Sequence, residues 1–117
     1  MNKTEIGKYG ENLALLYLKK LGYLVITTHW TCNYGEIDII AKKETLLVFV
    51  EVKSRTSELF GTAYESIGFK KLKCLCRAIN YYLLLNDRLD TLWQLDVLCL
   101  TCVGKKVKVQ HFKNIIE

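Results

Sequence analysis

An apolar strand that ends in two charges is the feature that most constrains the fold of this chain. Residues 46–50 are all apolar, and Glu51 and Lys53 follow in the same β-rich segment. Such a run is typical of a buried, central strand. Because side chains alternate between the two faces of a strand, Glu51 and Lys53 lie on the same face. Burying an unpaired charge is costly, so both charges need partners.

The preceding segment, residues 36–41, predicts a second strand that carries Asp38 between two isoleucines. Residues 42–45 favour a hairpin between the two strands. If the chain turns at Lys43 and Glu44, Asp38 lies opposite Phe49 and diagonal to Glu51, at a Cα separation of roughly 7–8 Å. Two carboxylates at that separation can share a divalent cation. A solvent-facing edge, or an acid neutralised by a lysine, is the alternative.

Hydrophobic periodicity predicts the remaining elements. Helices are expected over residues 4–21 and 65–85, and further strands over residues 23–26, 92–100 and 107–112. A polar loop is expected between the first strand and residue 35, and a second loop over residues 55–64. The predicted fold is therefore α/β, in the order α-β-β-β-α-β-β, with a mixed sheet of about five strands flanked by two helices.

Length and composition favour one folded domain, residues 1–117, because half of the residues are apolar and can form a sizeable core. No apolar run approaches the roughly 20 residues that span a bilayer. The first residues show no apolar signal-peptide core, so we expect a cytoplasmic protein without membrane contacts. The net charge of +5 hints at a polyanionic partner.

The first predicted helix contains Gly10 directly before Glu11. Glycine in a helix interior costs about 1 kcal/mol relative to alanine, which suggests close packing against another element. Such packing would present Glu11 to the acids of the two strands. An exposed glutamate is the alternative.

The second predicted helix is basic. No acid occurs between residues 66 and 86, and the basic residues there are Lys70, Lys71, Lys73 and Arg77. Three of them share one helix face, which could follow a phosphate backbone or simply face solvent. Arg55, directly after the strand charges, is placed to hold a phosphate in bidentate fashion.

Asp38, followed on the next strand by Glu51-Val52-Lys53, resembles the PD-(D/E)XK signature of the restriction-endonuclease-like superfamily. From about residue 6 to residue 112 the chain further resembles the YraN-like family of small bacterial proteins, which is similar in fold to archaeal Holliday-junction resolvases. The matching positions are Gly10, Glu11 and Ala14, residues 35–41 and 48–55, Phe60, Gly61, Ser66, Ile67, Lys71, Tyr82 and Leu83.

The resemblance implies a restriction-endonuclease-like fold and metal-dependent cleavage of nucleic acid, with branched DNA as one candidate substrate. It implies that Glu11, Asp38 and Glu51 bind Mg²⁺ or Mn²⁺, and that Lys53 completes the catalytic group. Arg55 and Lys71 would hold substrate phosphates. The chain departs from the family pattern at Thr31 and Gln94, where arginine is usual, and both departures remove phosphate contacts.

Two other functions stay open at this point. The first is a nucleic-acid-binding module that keeps the fold but has no turnover. The second is a structural or interaction protein in which the acids and Lys53 form a buried ion network. The sequence also leaves open whether DNA or RNA is the substrate and whether the chain forms the homodimer that paired cuts require.

Overall fold

Five strands form one mixed sheet in the computed structural model, which describes residues 2–56 and 67–116. The elements in chain order are α1 (Lys3–Lys20), β1 (Leu24–Cys32), β2 (Gly35–Lys43), β3 (Leu46–Arg55), α2 (Phe69–Leu85), β4 (Trp93–Val103) and β5 (Lys106–Phe112). The strands are adjacent in sequence order, and β3 and β4 form the parallel pair. The predicted α/β fold, with its two helices and five-stranded mixed sheet, is confirmed.

The two helices cover opposite faces of the sheet, because each core cluster contains residues from one helix. Phe49 of β3 packs with Leu75 and Ile79 of α2. Val50, the next residue of β3, packs with Leu18 of α1. Strand alternation therefore places Glu51 and Lys53 on the α2 side and Val52 and Ser54 on the α1 side.

The predicted register of the β2–β3 hairpin is wrong by two residues. Ile39 pairs with Val50, so Asp38 lies opposite Glu51 and not opposite Phe49. The turn consists of Glu44 and Thr45, and Glu44 adopts a positive φ of 57°. Two-residue hairpin turns need such a φ because it matches the twist of the strands. No glycine or asparagine marks this turn in the sequence, which is why the sequence placed it one residue too early.

Strand β1 is longer than predicted and takes up most of the expected polar loop. It continues to Cys32, which pairs with Gly35 across a two-residue turn. Gly35 has a φ of 139°, a conformation that glycine adopts without strain. Residues 27–31 contain threonines and a tryptophan, which favour a strand. Because β1 is an edge strand with one partner, it can carry polar residues, and these residues suggested a loop.

Helix α2 begins at Phe69, after Gly68, and not at residue 65 as predicted. Arg55, predicted in a loop, is the last residue of β3. Residues 57–64 of that predicted loop and residues 65 and 66 of the predicted helix lie outside the described residues. The matched positions Phe60, Gly61 and Ser66 are among them. Within residues 2–56 and 67–116, no helix is long and apolar enough to cross a membrane.

A buried acid, Asp96 of β4, fastens the C-terminal segment to the sheet. Its Oδ2 lies 2.7 Å from His111 Nε2, and its Oδ1 accepts a hydrogen bond from Asn114 N at 2.9 Å. Gln94 Nε2 donates to the same oxygen at 2.8 Å. Tyr17 Oη of α1 lies 3.0 Å from the other nitrogen of His111. This network satisfies a charge that would otherwise be buried at high cost.

Candidate functional site

Two predicted acids meet at the point where β2 and β3 end their regular pairing. The corrected register places Asp38 and Glu51 on neighbouring strands, and their carboxyl groups are hydrogen-bonded to each other. The backbone N–H of Val52 donates to Asp38 Oδ2 at 2.9 Å and fixes that carboxylate. The side chain of Glu51 is only 4% exposed. The half-buried carboxyl group of Asp38 is therefore in direct contact with the buried carboxyl group of Glu51.

This contact perturbs the charge of Glu51. Burial, the hydrogen bond that the protonated Glu51 carboxyl donates to Asp38, and the charge of Asp38 raise the pKa of Glu51 to about 8. Lys71 and Lys53 lower that pKa, and Lys71 Nζ lies 3.4 Å from Glu51 Oε2. Two carboxyl groups in contact cannot both ionise cheaply without a cation between them. At neutral pH the pair keeps a proton that a divalent cation could displace.

A cavity of about 570 Å³ opens on the α1 side of the same strands. Glu11 of α1, Asp38 of β2 and Arg55 of β3 contribute to its lining. Helix α1 reaches this position because Gly10 packs against β3, where a Cβ atom would collide with Ser54 Oγ and lie 3.0 Å from Ser54 Cβ. The close approach predicted from Gly10 is therefore present.

His29 is a site residue that the sequence reasoning missed. Its Nε2 lies 2.9 Å from Glu11 Oε1 and its Nδ1 lies 3.0 Å from Glu36 Oε1. These contacts, led by the hydrogen bond to Glu36, raise the pKa of His29. Its backbone has a positive φ of 51°, a strained conformation for a non-glycine residue that is common at functional sites.

The signal that could have identified His29 is the turn that ends β1. Cys32 pairs with Gly35, and the same register places His29 opposite Asp38. A loop prediction for these residues hid that pairing.

The predicted metal ligands divide between the two faces of the sheet. Asp38 and Glu51 are in contact, whereas Glu11 approaches from the α1 side. Burial and, to a smaller extent, the charge of Asp38 raise the pKa of Glu11. Glu11 Oε1 is buried, and its 2.9 Å contact with His29 Nε2 is an ion pair without regular hydrogen-bond geometry. Over the same residues, no three His, Cys, Asp or Glu side chains form a metal-holding group. The carboxylate pair fits a hard cation such as Mg²⁺, and a third ligand from Glu11 stays a prediction.

The family model described as "Uncharacterised protein family UPF0102" matches residues 10–100. The chain belongs to this family. A relative named "UPF0102 protein FP2501", from Flavobacterium psychrophilum, is 40% identical over 95% of this chain and 92% of its own length. A "UPF0102 protein" from Alkaliphilus oremlandii is 42% identical over 97% of this chain and 98% of its own length. The predicted YraN-like family membership is confirmed, and the match to UPF0102 spans every predicted site residue.

The basic residues of this UPF0102 chain occupy two positions around the acids. Lys70, Lys73 and Arg77 are exposed on α2, while Lys71, also exposed, reaches Glu51. Arg55 Nε donates to Thr101 Oγ1 at 3.1 Å on the neighbouring strand β4. The structure thus brings Lys53, Lys71 and Arg55 close to the acids and leaves three cations along the outside of α2.

Proposed function

We propose that this protein is a metal-dependent endonuclease of the restriction-endonuclease-like PD-(D/E)XK type. The contact between Asp38 and Glu51 carries the proposal. A buried carboxyl pair with a strongly raised pKa is unfavourable for folding and is typical of sites that perform chemistry. Lys53 and Lys71 lie near this pair, and their positive charges can attract a phosphodiester.

Asp38 and Glu51 would hold the divalent cation, and Glu11 lines the same cavity as Asp38. When bound, such an ion supplies Lewis-acid charge and lowers the pKa of a coordinated water. Lys53 shares the strand face of Glu51 and can donate hydrogen bonds to charge that develops on a phosphate. His29 holds the Glu11 carboxylate in the cavity. Arg55 lies at the lining of the same cavity and can orient a neighbouring phosphate.

A second candidate, a nucleic-acid-binding module without turnover, is favoured by one observation. Gln94, which stands where arginine is usual in the family, donates to buried Asp96 and so is engaged within the fold. Thr31, the other replacement, is exposed on β1. The chain therefore lacks two cations that could hold the substrate during cleavage, although its basic helix remains.

The test is cleavage of flapped and branched DNA, and of RNA of the same sequence, in Mg²⁺, Mn²⁺ or chelator. We expect the wild type to cut in the presence of either cation, and Glu51→Gln and Lys53→Met to lose at least about 100-fold in rate. Lys43→Met and Glu44→Gln, on exposed residues at the other end of the hairpin, are matched controls and should cut normally.

The remaining outcomes decide between the alternatives. Wild-type binding that weakens with salt, without cleavage in either cation, would refute the enzyme and support the binding module. Neither binding nor cleavage would leave the interaction protein.

A further inference from the structure

Two exposed tyrosines form an aromatic corner between the β1–β2 turn and α2. Tyr34, in the turn between β1 and β2, is 45% exposed, and Tyr81 of α2 is 39% exposed. Their rings stand nearly perpendicular, at 79°, with centroids 6.0 Å apart. Trp30 lies behind them, 6.2 Å from Tyr81 and 5.2 Å from Tyr82. The corner is thus exposed on one side and supported by the core on the other.

The corner borders a shallow groove of about 600 Å³. Tyr34, Tyr81 and Arg77 line it together with Asn80, Leu84 and Leu89. A smaller recess adjoins it, lined by Tyr34 and by Lys71, the residue that contacts Glu51. From Lys71, which contacts Glu51, to Tyr81 the helix rises about 15 Å, and the recess and the groove lie along this stretch of α2. A few nucleotides of extended chain could cover that distance.

The positive charge of α2 indicates which kind of ligand the groove binds. Lys70, Lys73 and Arg77 are exposed, and no acid occurs between residues 66 and 86. Cations beside exposed aromatic rings are the combination that binds single strands, where phosphates contact the cations and bases stack on the rings. A symmetric contact with a second copy of this chain would instead bring two basic helices together, which like-charge repulsion opposes.

We propose that the corner of Tyr34 and Tyr81 binds an unpaired nucleotide of a single-stranded segment that runs from the acid pair along α2. One base stacks in the corner, and Arg77 contacts the adjoining phosphate. The inference rests on the proposed function, because it defines the substrate class of the same site. The open groove offers stacking surfaces and few groups that read base edges, so the recognition is of single strands and not of sequence.

The test is binding in chelator, where no cleavage interferes, of an oligothymidylate, an oligouridylate and a duplex. We expect tighter binding of the single strands, and Tyr34→Ala and Tyr81→Ala to weaken it by on the order of tenfold each. Tyr81→Phe keeps the ring and should bind as the wild type. Tyr9→Ala is the matched control, since Tyr9 is also 39% exposed but lies on α1. The two oligonucleotides distinguish DNA from RNA as the source of the strand.

Two further measurements report on the corner directly. In a Trp93→Phe background, Trp30 is the only tryptophan, and a base bound at Tyr81 should quench its fluorescence. Arg77→Gln should reduce the slope of log affinity against log salt by about one.

Unchanged single-strand binding in the double tyrosine variant would overturn the proposal, even if the wild type cleaves. Equal losses for single strand and duplex would also overturn it, as would a dimer that dissociates when Tyr81 is replaced while binding is retained. Conversely, a wild type that binds single strands through the corner but cuts nothing in Mg²⁺ or Mn²⁺ would refute the endonuclease and leave the corner in place.

Discussion

Glu51 shows at the scale of a single residue how the site opposes the stability of the fold. Its carboxyl group is buried against a second carboxyl group, and its pKa is raised to about 8. A group whose pKa is higher in the folded than in the unfolded state favours folding when it is protonated. The contribution of protonated Glu51 to the free energy of unfolding is complete below about pH 4.5 and is lost as the pH rises to about 8.

Glu51→Gln should therefore stabilise the chain in chelator as the pH rises, because glutamine keeps the hydrogen bonds and cannot ionise. We expect the free energy of unfolding of the variant to exceed that of the wild type by about 1–4 kcal/mol above pH 8, and the difference to shrink toward pH 4.5. Urea unfolding at a series of pH values measures it. Lys71→Met should move the wild-type dependence to higher pH, since Lys71 lowers this pKa. A difference that does not vary with pH would contradict the assignment.

At the scale of elements, the site depends on how closely α1 approaches the sheet. Gly10 makes that approach possible because a side chain would press on Ser54 of β3. For Gly7, one turn earlier, no neighbouring atom of residues 2–56 and 67–116 lies within 4 Å of the position of a Cβ. The same helix thus contains one glycine that packing requires and one that it does not.

Alanine at these two positions should have opposite effects on stability. Gly10→Ala should lower the free energy of unfolding by about 1–3 kcal/mol, because overpacking outweighs the gain in helix propensity. Gly7→Ala should raise it by about 0.5–1 kcal/mol through propensity alone. Urea unfolding of the two variants checks both values. Equal stabilisation by both alanines would mean that α1 does not pack closely at Gly10.

At the scale of the whole molecule, the sheet separates two surfaces that meet at the acid pair. The cavity with Glu11 and His29 lies on the α1 side, and the basic, aromatic surface lies on the α2 side. Asp38 lines the cavity and also bonds to Glu51 beneath α2. A cation at this pair would contact side chains that approach from both faces.

Mg²⁺ or Mn²⁺ should therefore stabilise the entire fold. A cation that binds only the native state at ten times its Kd adds about 1.4 kcal/mol to the free energy of unfolding. Thermal unfolding of the wild type in cation and in chelator measures the shift. Asp38→Asn should abolish it, while Asp90→Asn, on an exposed residue distant from the pair in sequence, should retain it. Equal shifts in the wild type and in Asp38→Asn would place the cation elsewhere.

The sequence by itself determined the element order, the α/β class and the shared strand face of Glu51 and Lys53. It also indicated the basic helix and the close packing at Gly10. These features depend on local periodicity and on residue types, which a single chain displays directly.

Only the tertiary structure decided the register of the hairpin, the face on which each acid lies, and the positions of His29 and Tyr34. Strand register depends on which residues adopt the turn conformation. The residue type of Glu44 does not indicate a turn, and the residue types of the edge strand β1 do not indicate its register. The covering of the two faces depends on packing between segments far apart in the chain. For that reason the sequence could predict that the acids of β2 and β3 are neighbours, but not that Asp38 connects a cavity under α1 to a buried partner under α2.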